Sequence, residues 1–138
     1  MAPTEHGKTI LLAEDEETFR SYVLSVLQRN GYNVIVAIDG QDALNKSRQF
    51  TETIHLLVSD VQMPNMTGIE LAKQLQMDRP NLRVLLMSGI AAGMLLLNED
   101  WQFLRKPFMG NILQDRVRHL LQEGPIPPWN VAAESSGE

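Results

Sequence analysis

Residues 9–15 read Thr9-Ile10-Leu11-Leu12-Ala13-Glu14-Asp15, a short continuous apolar run that stops abruptly at two carboxylates. The run is too short for a buried helix, and its apolar residues do not alternate with polar ones, so both of its faces need cover. A parallel strand packed between two layers of helix meets that need. Three further runs have the same character: Val34-Ile35-Val36-Ala37, Leu56-Leu57-Val58-Ser59 and Val84-Leu85-Leu86-Met87. Gln102-Phe103-Leu104-Arg105 is a weaker fifth.

Amphipathic stretches lie between these runs. From Glu16 to Asn30, Phe19, Val23, Val26 and Leu27 fall at helical spacing, and Asn30-Gly31 supplies a stop. Gln41 to Phe50 is a shorter helix. Thr67 to Gln76 opens with Thr67 and Glu70 at capping-box spacing and turns Ile69, Leu71, Ala72 and Leu75 inward. Asn111 to Gln122 presents Ile112, Leu113, Val117, Leu120 and Leu121. Strands that alternate with helices in this way predict an α/β fold built on a doubly wound parallel sheet.

The chain has 138 residues, one domain's worth at roughly 100 to 200 residues per domain. Its formal charge of -5 argues against a general binder of nucleic-acid backbone, which needs a basic face. Cysteine is absent, which excludes disulfides, thiolate catalysis and Cys-based zinc sites. Met1 to Lys8 is polar, without the apolar core of an export signal, and no segment approaches the ~20 apolar residues of a membrane span. The expectation is a cytoplasmic protein with no membrane contact. The boundaries read as an N-terminal extension over 1–8, one domain over 9–122, and a proline-rich tail or linker over 123–138 that starts at Gly124-Pro125-Ile126-Pro127-Pro128-Trp129. Trp129 either docks on the domain, the favoured reading, or marks a partner site. His6, His55 and His119 have no carboxylate at a telling spacing and receive no chemical role.

In an open α/β sheet the ligand site lies beyond the carboxyl ends of the strands. The first run leads into Glu14-Asp15, the third ends at Asp60, the fourth reaches Ser88, and the fifth is followed by Lys106-Pro107. If the strands are parallel, three carboxylates, a hydroxyl and an ammonium meet at one place. Three clustered carboxylates repel one another and push their own pKa values up unless a cation intervenes. Oxygen-only ligands favour a hard ion, and an open site that keeps several waters suits Mg²⁺. With one such ion and Lys106 the formal charges balance. An aspartate can act as a nucleophile toward phosphorus, and phosphoryl transfer needs mainly positioning and charge stabilisation. Asp60 stands alone at its strand end, ahead of Pro64 and Gly68, and is the candidate nucleophile. Glu14 and Asp15 are placed to hold the metal, Ser88 and Lys106 the phosphoryl oxygens.

Four motifs, Leu11-Leu12-Ala13-Glu14-Asp15-Glu16, Ser59-Asp60-Val61-Gln62-Met63-Pro64 with Gly68, Leu86-Met87-Ser88-Gly89, and Leu104-Arg105-Lys106-Pro107-Phe108, occur in this order. Together they closely resemble the receiver domain of two-component response regulators, over roughly Lys8 to Gln122. The resemblance implies a flavodoxin-like (CheY-like) sheet of five parallel strands in the order 2-1-3-4-5, with helices on both faces. It implies a phosphoacceptor at Asp60, with Mg²⁺ held by Asp15, Asp60 and the backbone carbonyl of Gln62, and Glu14 completing the acidic pair. Ser88 matches the Thr/Ser switch position and Phe103 the aromatic switch position, while Lys106 matches the family's lysine, whose bond to the following proline is cis. The implied phosphodonor is a histidine kinase or histidine phosphotransfer protein, and the module turns over no metabolite. The output partner stays unnamed, and a homodimer stays open.

Two departures stand out. Phe103 sits where many members carry Tyr, so a signal through a ring hydroxyl is excluded. Only eighteen positions separate Ser88 from Lys106, and Ala91 to Asn98 reads Ala-Ala-Gly-Met-Leu-Leu-Leu-Asn. A fourth helix, between the fourth and fifth strands, is therefore expected to be short or irregular, similar to receivers attached to hybrid histidine kinases, with Met94 to Leu97 either core or exposed patch. Three rival readings are weaker. An aspartate-nucleophile phosphatase wants a second Asp two positions after the nucleophile, where Gln62 stands. A phosphorylation-independent interaction module has no need of the full set of polar site residues. A DNA-binding regulator would need a helix-turn-helix, and none follows Gln122.

Overall fold

The computed structural model describes residues 7–89 and 101–123. The elements are β1 (Thr9–Ala13), α1 (Glu17–Arg29), β2 (Asn33–Ala37), α2 (Gly40–Gln49), β3 (Leu56–Asp60), α3 (Gly68–Asp78), β4 (Arg83–Ser88), β5 (Trp101–Arg105) and α4 (Gly110–Glu123). All strand pairs are parallel, and the five strands lie in the order β2-β1-β3-β4-β5. This is the flavodoxin-like arrangement. The expected helix between the fourth and fifth strands, the Met94–Leu97 run and Trp129 all lie outside the described residues.

Successive side chains of a strand point to opposite faces, and the continuous apolar runs supply both layers. Leu11, Leu57, Val84 and Leu86 pack with Ala43, Leu44, Leu71, Ala72 and Leu75 of α2 and α3. Ile10, Leu12, Leu56, Val58, Leu85 and Met87 pack with Val23, Val26, Leu27, Leu113, Val117 and Leu120 of α1 and α4. Every residue of β1 and β3 is buried, whereas Val34, Ile35 and Val36 are only half-buried because β2 is an edge of the sheet.

Local signals fix the helix ends that matter for the site. Glu16 is the N-cap of α1 rather than its first residue, its carboxylate accepting from the backbone N–H groups of Thr18 and Phe19. The helix stops at Asn30, and Gly31 takes the left-handed φ of 89° that a residue with a Cβ resists. The expected capping box of α3 is present in both halves: Glu70 N–H donates to Thr67 Oγ1, and Thr67 N–H to Glu70 Oε1. No helix among the described residues is long and apolar enough to cross a membrane.

Candidate functional site

Parallel strands bring their carboxyl ends to one edge of the sheet, and strand-type hydrogen bonds continue one residue past them. Glu14 N–H donates to Ala37 O at 3.2 Å, Val61 N–H to Met87 O at 2.9 Å, and Lys106 N–H to Ser88 O at 2.8 Å. The backbone that carries the site is therefore an extension of the sheet. Carboxylate oxygens of Glu14, Asp15 and Asp60 lie within 4.8 Å of one another, with Glu14 and Asp60 buried and Asp15 exposed. Lys106 enters from the end of β5, its Nζ standing 3.3 Å from Glu14 Oε1 and 3.3 Å from Asp60 Oδ1. The second oxygen of Glu14 accepts from Glu16 N–H at 3.0 Å, and Arg20 Nη1 donates to the Glu14 carbonyl at 3.0 Å.

The loop after Asp60 is held against it. A Cβ on Gly68 would lie 2.2 Å from the Asp60 carbonyl oxygen, so this position excludes any side chain, and Gly68 N–H donates to Val61 O at 2.8 Å. Asn65 carries φ of 70°, in the left-handed region where Asn is tolerated best among residues with a Cβ. The Lys106–Pro107 bond is cis, as the resemblance implied. Beyond the lysine, Phe108 packs edge-to-face on Phe19 at 5.4 Å, and the Lys106 ammonium sits 4.2 Å from the centre of the Phe19 ring.

Burial is the main force raising the pKa of both Glu14 and Asp60. For Asp60 the charge of Asp15 pushes the same way, while Lys106 and the N–H of Gln62 oppose it. For Glu14 the Glu16 N–H and Lys106 oppose burial, and the charge of Asp60 adds to it. Three carboxylates against one ammonium leave two formal negative charges in a largely buried place. That surplus, the all-oxygen donor set and the spacing fit a divalent hard cation.

The remaining expected residues fall around this cluster rather than in it. Ser88 is buried at the end of β4, in register with Arg105. Gln62 is exposed beside Asp60. Phe103 is half-buried in the middle of β5, opposite Leu86, packs on the α2–α3 side, and accepts from Arg116 Nη1 through its carbonyl. The sequence reading treated Phe19 as core only. Its place in the first turn of α1, four residues after Asp15, was the signal that it faces the carboxyl end of the sheet.

An open parallel sheet in this order, with an acidic cluster and a lysine at its carboxyl edge, defines a flavodoxin-like domain with a charged site where that fold binds its ligands. The family model for the response regulator receiver domain matches residues 10–118. The chain is 34% identical over 126 residues to the alkaline phosphatase synthesis transcriptional regulatory protein PhoP of Bacillus subtilis, covering 87% of this chain and 51% of PhoP. It is 33% identical over 120 residues to the response regulator receiver protein CpdR of Brucella abortus, covering 83% of this chain and 97% of CpdR. The crystal structure of the receiver domain from the hybrid histidine kinase CckA superposes with a TM-score of 0.72 at 36% identity, covering 83% of this chain and 99% of that one. The chain belongs to the response regulator receiver domain family. Receiver domains are signalling modules of two-component systems rather than turnover enzymes. This chain spans about half the length of PhoP and nearly all of CpdR.

Proposed function

We propose that this receiver takes a phosphoryl group on Asp60 from a histidine kinase or histidine phosphotransfer protein, and that the added charge changes a partner-binding surface. The observation that carries the reading is the placement of Lys106 Nζ at 3.3 Å from Asp60 within the Glu14–Asp15–Asp60 cluster. A carboxylate oxygen of Asp60 attacks phosphorus in line. The bond from phosphorus to the donor nitrogen breaks with its electron pair leaving on the donor, and an acyl phosphate forms on Asp60. Asp15, Asp60 and the Gln62 carbonyl are the ligands we assign to Mg²⁺, with Glu14 anchoring Lys106 beside them. When bound, the ion supplies positive charge to the phosphoryl oxygens. Lys106 donates to a phosphoryl oxygen from the other side, and the Ser88 hydroxyl is the assigned partner for another.

The response passes through Ser88 at the end of β4 and Phe103 in β5, whose register places them on neighbouring strands. The donor's face is assigned to the apolar surface beside Lys106, where Tyr22 is 38% and Met109 71% exposed next to Phe19 and Phe108. We read the receiver as 9–122, preceded by an extension and followed by a tail, and place it in the cytoplasm with such a donor.

Incubation of the whole chain with acetyl phosphate and Mg²⁺, followed by intact-mass measurement, tests the reading. One phosphoryl group is expected on the wild type and none on Asp60→Asn or on the wild type with chelator. Equal labelling of both proteins, or no label on either, contradicts it.

A further inference from the structure

We propose that Phe19 is a positioning residue: the face of its ring holds the Lys106 ammonium equidistant from Glu14 and Asp60, poised for a phosphoryl oxygen. The inference rests on the reading of Asp60 as phosphoacceptor.

A lysine has a long flexible stem and a freely rotating ammonium, so its place in an acidic pocket has to be imposed. Charge-assisted N–H···O bonds are usually about 2.7–2.9 Å long. Lys106 stands 3.3 Å from each carboxylate, and neither holds it alone. The third contact is the Phe19 ring, 4.2 Å from Nζ to centroid, well inside the ~6 Å reach of a cation–π interaction. The ring attracts the charge without accepting a conventional hydrogen bond. An ammonium carries three donors, so with two carboxylate neighbours it keeps capacity for an incoming oxygen.

The backbone that carries the ring is anchored, and the ring itself is packed. Phe19 N–H donates to Glu16 Oε1 at 2.7 Å, which ties the first turn of α1 to the acidic segment. Phe108, two residues beyond Lys106, meets the ring edge-to-face at an interplanar angle of 73°. The bland alternative is that Phe19 only fills space, since it packs half-buried against the core between α1 and α4. A leucine would fill much of that space and offer no ring face.

Acetyl phosphate labelling rates at saturating donor, with Mg²⁺, separate the two for the wild type, Phe19→Leu, Phe19→Trp and a chain carrying trifluorophenylalanine at position 19. Fluorination removes the negative ring face and leaves the shape nearly unchanged. Phe19→Leu is expected to slow labelling by roughly threefold to tenfold, the fluorinated chain to fall between Leu and wild type, and Phe19→Trp to retain the wild-type rate. The ε protons of Lys106 should also show an upfield ring-current shift by NMR that Phe19→Leu abolishes. Wild-type labelling by the fluorinated chain, equal slowing by Leu and Trp, or no ring-current shift in the wild type overturns the positioning role alone. No label on the wild type overturns the phosphoacceptor reading first, and the positioning role with it.

Discussion

At the carboxyl end of the sheet, Lys106 faces two buried carboxylates at 3.3 Å each, and an exposed third stands close by. At the amino end, Arg79 faces neutral groups: Nε donates to Ser47 Oγ, Nη1 to Glu52 O, and Nη2 to Ser47 O and Phe50 O, at 2.7–3.0 Å. Arg83 donates to the Leu120 carbonyl in α4, and His55 Nδ1 accepts from Thr9 N–H at 3.0 Å. Burial, and the charge of Lys8, hold the His55 pKa below its ordinary value. The arginines thus close off carbonyls where α2 and α4 end, and act as fasteners. The carboxylates have a surplus of one sign and too few donors, which is a state that a ligand relieves. A cavity of about 430 Å³ opens at the fastened end, lined by Lys8, His55, Arg79 and Arg83 among others. The acidic cluster lies at the other end, so unmatched charge and open volume point to different places in this fold.

The largest expected effect tests how tightly the carboxyl end is built. Gly68→Ala drives a Cβ into the Asp60 carbonyl and should lose roughly 3 kcal/mol or more in denaturant unfolding, with slower labelling of whatever folds. A variant with wild-type stability would refute the close approach. Next, Arg79→Ala removes four hydrogen bonds that tie the end of α3 to the end of α2 and the segment after it, and should cost about 2–3 kcal/mol, while the folded protein labels at the wild-type rate. A labelling defect in that variant would show that the two ends are not separable.

The smallest effect carries the sign of the electrostatics. Glu14 and Asp60 have folded pKa values above their unfolded ones, so the fold binds more protons than the unfolded chain. Without metal, stability should fall as pH rises from the ordinary carboxylate range through the raised folded values, and stay low above them. Asp60→Asn removes its share of this penalty and should stabilise the metal-free protein at neutral pH. Added Mg²⁺ should stabilise the wild type most above that window and Asp60→Asn least. Urea midpoints measured from about pH 4 to pH 8 check both. A metal-free wild type that gains stability as pH rises through the window would reverse the assigned sign.

Much of this was legible in the chain because one physical condition wrote both patterns. Strands covered on two faces leave continuous apolar runs, and a site at their carboxyl ends leaves polar residues where each run stops, as at Glu14, Asp60 and Ser88. The fifth strand was the weakest signal because its core residues Trp101 and Leu104 are interrupted by Gln102, which is buried but polar. Gly68 stands in the sequence only as part of the motif after Asp60, and its actual constraint is contact with the Asp60 carbonyl, a tertiary distance with no local signature. Arg79 reaches residues about thirty positions away, and no periodicity announces that reach. Phe19 was hidden for another reason: its spacing is that of a core residue, and its ring serves the core and the lysine together.

The central claim is that phosphate resides on Asp60. Chemical mapping tests it most directly: label the whole chain with acetyl phosphate and Mg²⁺, reduce the acyl phosphate with borohydride, digest, and find the residue converted to homoserine by peptide mass. The account predicts conversion at position 60 and at no other acidic residue, dependent on Mg²⁺. Homoserine at position 15, 5-hydroxynorvaline at position 14, or reduction at several carboxylates alike would contradict it.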